Sequence, residues 1–122
     1  MSTQRINSVI IVIVLLFFWP TYLAAHAKLV SSIPAADQVV ETEPKSIFLT
    51  FNKPVESTFS SIRIFDAHDE AIKLNKPAHK GSDDKTLEVT LPELSSGKYK
   101  VSWRIVAGDG HKMKNEFFFS IK

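Results

Sequence analysis

The strongest constraint on the fold of this chain is a nine-residue stretch, 98–106, in which polar and apolar side chains alternate. The apolar positions are Tyr99, Val101, Trp103 and Ile105, and the positions between and before them are Lys98, Lys100, Ser102 and Arg104. Successive side chains of a β-strand point to opposite faces, so a period of two indicates a strand with one buried face. We therefore expect a half-buried strand here, with Trp103 anchored in the core.

The same alternation recurs elsewhere after residue 27, where helical periodicity is hard to find. It appears in Leu87, Val89 and Leu91 and again in Phe117, Phe119 and Ile121. Segments rich in turn-forming residues separate seven expected strands, at 28–32, 46–51, 61–65, 71–74, 86–91, 98–106 and 115–121. Seven short strands in about a hundred residues are typical of an all-β sandwich or small barrel.

Composition excludes several classes of protein. The length of 122 residues has room for one such domain. Cysteine is absent, which excludes disulfides, thiolate zinc sites and a cysteine nucleophile, so stability must come from the core, with help from any bound metal. The formal net charge is only +2, and no basic cluster remains once Arg5 is set aside, so we expect no nucleic-acid partner.

The first 25 residues are typical of a secretory signal peptide. A polar start containing Arg5 precedes the eleven apolar residues Val9–Trp19, and Pro20 and a short stretch ending at Ala25 follow. Eleven residues rise only about 16 Å as a helix, well short of a hydrocarbon core of about 30 Å, so an uncleaved anchor is the less favoured alternative. We expect export to a periplasm, a signal peptide at 1–25 and one domain at 26–122.

The cleavage position has two candidates. Cleavage after Ala25 makes His26 the new N-terminus, whereas cleavage after Ala27 fits the A-x-A pattern more closely and frees Lys28. General signal-peptidase rules slightly favour the second position and leave the first open.

Four histidines follow the leader: His26, His68, His79 and His111. His68 and His79 lie in polar, charge-rich segments, where we expect solvated surface side chains. In Asp109-Gly110-His111, two donors at i and i+2 share one side if the segment is extended, although such a triplet alone is more often a turn-forming Asp beside a surface His.

A mature N-terminal histidine changes the chemistry of this set. Its α-amine and imidazole can chelate one ion, and two more donors complete a set of three nitrogens and one oxygen. That set suits Cu(II) better than calcium or magnesium. The nitrogens must be deprotonated, so affinity should fall below the ordinary histidine pKa of about 6.5.

Two segments carry a family resemblance: residues 26–35 (HAKLVSSIPA) and residues 99–111 (YKVSWRIVAGDGH). They resemble the CopC/YobA-type copper-resistance proteins of bacterial periplasms. The resemblance implies a Greek-key β-barrel or sandwich, cupredoxin-like or immunoglobulin-like, that binds one Cu(II) ion through His26, Asp109 and His111. It also favours cleavage after Ala25, because cleavage after Ala27 would remove a ligand.

Two positions depart from the pattern of this family. Lys53 stands where many relatives carry a glutamate at or beside the metal, and a cation pointing inward there should weaken Cu(II) binding. Glu56, three residues on, is not expected to replace that acid. Met113 is the only methionine after the leader, so we expect no separate methionine-rich Cu(I) site.

The leading functional hypothesis is a monomeric, non-catalytic protein that sequesters Cu(II) or delivers it to a CopD-type membrane importer. A copper histidine-brace monooxygenase is one alternative, but it needs an open coordination position that Asp109 would fill. A metal-free β-sandwich interaction module is the other, with Lys53 marking a lost site. No G-x-S-x-G, H-E-x-x-H or phosphate-binding glycine motif is present.

Overall fold

The computed structural model describes residues 27–122, so the expected signal peptide and His26 lie outside the described residues. One 3-10 turn, Ser57–Phe59, accompanies nine strands. The strands are β1 Leu29–Ile33, β2 Val39–Val40, β3 Ser46–Phe51, β4 Ser61–Phe65, β5 Ala71–Ile72, β6 Ala78–Lys80, β7 Asp83–Thr90, β8 Gly97–Val106 and β9 Lys112–Ile121. No helix in this range is long and apolar enough to cross a membrane.

The strands form two sheets packed as a sandwich. One sheet has the order β1-β3-β7-β6, and the other has the order β2-β9-β8-β4-β5. Neighbours pair antiparallel except for β2, which runs parallel to β9. The all-β prediction is confirmed. Of the two predicted architectures, a barrel and a sandwich, the structure has the Greek-key sandwich.

The core lies between the sheets and contains the side chains that the alternation predicted. Tyr99, Val101, Trp103 and Ile105 of β8 are buried, as are the alternating apolar positions of the neighbouring strands: Leu87 and Val89 of β7 and Phe117, Phe119 and Ile121 of β9. Trp103 meets Phe51 of the opposite sheet edge to face, with ring centroids 5.3 Å apart. An aromatic pair of this geometry adds to the free energy gained from burial alone.

Two strands and one histidine differ from the sequence-based expectation. Neither β2 nor β6 was predicted, and β7 and β9 each begin three residues earlier than expected. The prediction that His79 is a solvated loop residue was wrong: His79 lies on β6 and is half-buried. His68, in the turn after β4, is exposed as expected.

The fold also produces a basic surface that the linear sequence does not show. Six cationic side chains occupy the outward positions of β4, β8 and β9, a surface that we call the basic face: Arg63, Lys98, Lys100, Arg104, Lys112 and Lys114. Strand alternation places them two residues apart in the chain and the pairing of strands then brings them together, so no basic run exists in the linear sequence.

Candidate metal centre

The Asp109-Gly110-His111 triplet forms the hairpin turn between β8 and β9. The amide of Gly110 donates to the carbonyl of Ala107 at 2.9 Å, and the amide of Ala107 donates to the carbonyl of His111 at 2.9 Å. Gly110 has a φ of 87°, which is the left-handed conformation that a three-residue hairpin loop requires at its last position. The triplet is therefore held as a tight turn and not as an extended segment.

This turn brings the two predicted ligands against each other. The Asp109 carboxylate accepts a hydrogen bond from the backbone amide of His111 at 3.0 Å through Oδ1. Its Oδ2 lies 3.0 Å from His111 Nδ1, and the two side chains are 40% and 53% exposed. Asp109 thus shapes the turn, as the turn interpretation of this triplet expected, and it also faces the imidazole. The two donors share one side because of the turn and not because the segment is extended.

The contacts of Asp109 fix its charge. The backbone amide of His111 first, and then the His111 side chain, hold the pKa of the Asp109 carboxyl below its ordinary value. Desolvation opposes these hydrogen bonds, and the smaller effects of charge on His111 and on Lys53 lower the pKa of Asp109 further. Asp109 is therefore an anion throughout the neutral range, as a metal-binding carboxylate must be.

The pairing also orients the imidazole of His111. When Nδ1 carries the proton that faces the carboxylate, Nε2 carries the lone pair that a metal ion needs. Carboxylates commonly fix the tautomer and ring direction of metal-binding histidines in this way. In this arrangement Asp109 is a hydrogen-bond partner of His111, whereas a metal ion bound by both side chains would take the place of the proton between Nδ1 and Oδ2.

A neighbouring segment, Asn52 to Glu56, runs alongside the turn. The amide of Gly108 donates to the carbonyl of Pro54 at 3.0 Å, and Val55 forms an isolated antiparallel bridge with Ala107. This contact explains how the charge of Lys53 acts on Asp109. The charge of Lys53 therefore acts on the candidate site, and a cation there opposes metal binding.

The first described residues lie at the same end of the sandwich. Ala27 is fully buried, and the amide of Lys28 donates to Asn52 Oδ1 at 2.7 Å. The amide of Asn52 donates back to the carbonyl of Lys28 at 3.0 Å. The chain that follows His26 is thus fixed next to the segment that carries Lys53, while His26 itself is outside the described residues.

His79 is a further residue of this end that sequence reasoning missed. Its Nε2 lies 2.6 Å from the carbonyl oxygen of Val55, the residue bridged to Ala107. The signal available in the sequence was Gly81-Ser82, a two-residue turn pair that is typical of a hairpin and would have placed His79 on a strand.

Within residues 27–122 no group of three or more histidine, aspartate or glutamate side chains is arranged to hold a metal ion. The described part of the chain thus contributes Asp109 and His111 of the predicted set. Glu56, the other nearby acid, is exposed, and its backbone amide donates to the carbonyl of Val106 at 2.7 Å.

Comparison with known proteins identifies the family. Residues 29–122 match the CopC domain. The chain is 39% identical over 99 residues to protein YobA of Escherichia coli K12, covering 80% of each sequence. The chain therefore belongs to the CopC domain family.

Solved structures of the family share the fold. The crystal structure of CopC from Methylosinus trichosporium OB3b superposes with a TM-score of 0.76 at 30% identity, covering 80% of this chain and 94% of that one. PcoC, a methionine-rich copper resistance protein from Escherichia coli, gives a TM-score of 0.69 at 31% identity, covering 80% and 100%.

Proposed function

We propose that this protein binds one Cu(II) ion through the amine and imidazole of a mature N-terminal His26, together with Asp109 and His111. The observation that carries the proposal is the 3.0 Å pairing of His111 Nδ1 with Asp109 Oδ2 on a tight turn. Two nitrogens from His26, one from His111 and one carboxylate oxygen make a donor set that suits tetragonal Cu(II).

The start of the described chain supports a role for His26. The reciprocal bonds between Lys28 and Asn52 fix the backbone two residues after His26. Lys53 follows Asn52 directly, and its charge lowers the pKa of Asp109. Ala27, the first described residue, is buried at this end of the sandwich, which supports a ligand supplied by the residue before it.

One relative of known structure supports copper as the metal. PcoC is described as a methionine-rich copper resistance protein. This chain has Met113 as its only methionine after the leader. Thioethers favour Cu(I) and nitrogen donors favour Cu(II), so the proposal assigns Cu(II).

The cellular role that we propose is copper binding without catalysis in a bacterial periplasm. The protein, acting as a monomer, sequesters Cu(II) or delivers it to a CopD-type membrane importer. A site whose donors are half-exposed on a hairpin turn suits uptake and release of an ion, since no lid must open.

The test is a competition titration of Cu(II) against a chromophoric chelator, with the exported protein and its N-terminus read by mass spectrometry. We expect one Cu(II) per chain when His26 is first. His111→Ala and a chain extended by one residue before His26 should each lower affinity by about a hundredfold.

His68→Ala is the matched control, because His68 is an exposed histidine on the turn after β4, at the opposite end of that strand from the site. Stoichiometric copper binding that survives both His111→Ala and the extension would overturn the proposal. Release of oxidised sugar ends in the presence of a reductant and peroxide would contradict the non-catalytic role.

A further inference from the structure

The basic face concentrates charge in a chain that has little net charge. The whole sequence carries a formal net charge of only +2, yet six cations share the outer surface of one sheet. The outer surface of the other sheet carries Thr50, Thr86 and Glu88, with Lys80 at its edge. The outer surfaces of the two sheets therefore differ in how many basic side chains they carry.

Several of these cations lack neutralising partners. Arg104 lies directly opposite Lys114 in the β8–β9 pairing, an arrangement of like charges that destabilises a sheet. Within residues 27–122, Arg63, Arg104, Lys112 and Lys114 form no ion pair, whereas Lys100 pairs with Asp69 at 3.0 Å. Glu116 is the only acid among the outward positions of β8 and β9. An uncompensated cluster of this kind points to an anionic partner.

The face also contains a cleft and exposed aromatic surface. A cleft of about 290 Å³ is lined by Ser61, Arg63, Ser102, Trp103, Arg104 and Lys114, so cations and hydroxyls converge on one space. Phe118 is 37% exposed, with Lys98 4.7 Å above its ring. Phe65 lies between Arg63 at 4.9 Å and Lys100 at 4.7 Å.

We propose that the basic face docks on a bilayer containing anionic phospholipids, with the cleft receiving a headgroup phosphate. The cations from Lys98 to Arg104 extend over about 20 Å of strand, and they lie on an open sheet surface rather than in one deep groove. A bilayer presents phosphates at every position and so matches such a spread of charge. Guanidinium groups and hydroxyls bind phosphate well, and aromatic rings are favoured at the membrane interface.

Docking in this orientation places the metal-binding turn at the membrane. Val106 and Lys112 are paired across the end of β8 and β9, and the Ala107–His111 turn continues directly from them. The inference does not depend on the proposed copper binding, because the face is complete in the metal-free protein.

The test is cosedimentation of the exported, metal-free protein with phosphatidylcholine vesicles, with and without phosphatidylglycerol. We expect binding that requires phosphatidylglycerol and is lost in high salt, where the Debye length falls well below its value of about 8 Å at physiological ionic strength. Each basic residue near an anionic surface contributes about fivefold to binding, so Arg104→Gln with Lys114→Gln should lose about 30-fold.

A double variant on the opposite sheet, Lys80→Gln with Lys85→Gln, is the matched control, because it removes the same charge. Equal losses in the two double variants would show an effect of net charge and would overturn the assignment to this face. Equal binding to both kinds of vesicle, or none to either, would also overturn it.

Inorganic phosphate at millimolar concentration should not displace the protein; displacement would assign the cleft to a free anion instead. Binding to immobilised polyglutamate but not to phosphatidylglycerol would reassign the face to an acidic protein.

Discussion

At the scale of single residues, the candidate centre depends on a carboxylate that has two tasks. Asp109 closes the turn through the amide of His111 and also faces the imidazole. Because these contacts lower its pKa, Asp109 stays ionised as the pH falls from neutral to mildly acidic values. Loss of copper in that range would therefore not come from protonation of Asp109, and the turn that Asp109 closes would stay intact.

Gly110 should be needed to hold this turn. Its φ of 87° is strained for any residue with a Cβ, so Gly110→Ala should cost roughly 1–2 kcal/mol of folding free energy and weaken copper binding. Gly108→Ala is the control, since a Cβ there meets Pro54 O at 3.8 Å and Pro54 Cβ at 3.9 Å, both ordinary contacts. Urea unfolding measures both, and equal effects would refute the role of the left-handed conformation.

Lys53 should lower the affinity of the site for Cu(II). Lys53→Glu replaces a cation that acts on Asp109 with an acid, and we expect Cu(II) affinity to rise by about tenfold. Lys73→Glu makes the same change of charge beside Leu74 and Thr90, at the other end of the sandwich. An affinity unchanged by Lys53→Glu would show that this side chain does not influence the bound metal.

At the scale of elements, strand β6 contacts the segment that packs against the Ala107–His111 turn. His79 reaches the carbonyl of Val55, and Val55 in turn is bridged to Ala107 at the start of the turn. His79→Ala should lower stability by about 1 kcal/mol, the usual net value of such a hydrogen bond, and should speed amide exchange at Ala107 and Gly108. His68→Ala should do neither. Unchanged exchange in His79→Ala would rule out this support.

The hairpin that joins β6 and β7 should make stability depend on pH. Hydrogen bonds from the Thr86 hydroxyl, at 2.7 Å, and then from the Lys85 amide, at 2.9 Å, lower the pKa of Asp83. A lowered folded-state pKa stabilises the protein above the unfolded value of about 3.9 and ceases to do so as pH falls through the folded value.

Asp83→Asn should therefore be less stable than the parent at neutral pH, with the difference closing in acid. Urea unfolding across that pH range measures the effect. Asp84→Asn, the same change at the next exposed position, is the control. A difference that persists unchanged below the folded pKa of Asp83 would contradict the role of ionisation.

The elements that sequence reasoning found are those with enough length to show a period. β3 and β4 match their predicted bounds, and β8 differs by one residue. Val39–Val40 is too short to alternate, and it is a strand only because it lies beside β9. The spacing of Asp109 and His111 predicted donors on one side, but the tight turn that brings them together replaces the extended segment assumed for them. The approach of Lys53 required the contact between Pro54 and Gly108, which no local pattern encodes.

At the scale of the whole molecule, one aromatic contact joins the two sheets near the centre. Trp103 of β8 is 4% exposed and packs on Phe51 of β3, directly before Asn52. Trp103→Ala should cost about 3–5 kcal/mol, a large part of the usual 5–15 kcal/mol for a domain. Phe59→Ala, at a side chain that is 72% exposed, should change stability by less than about 0.5 kcal/mol. Thermal unfolding of the two variants tests the contrast.

The edges of both sheets have a consequence for the behaviour of the protein in solution. β2 and β5 are two residues long, and the registers of β1 and β6 shift between Leu29 and Ser31 and between His79 and Lys80. Among the described residues, the four outermost strands are therefore short or irregular, and such strands are poor templates for strand addition from a second molecule. We therefore expect the folded protein to stay in solution at high concentration without edge-to-edge association.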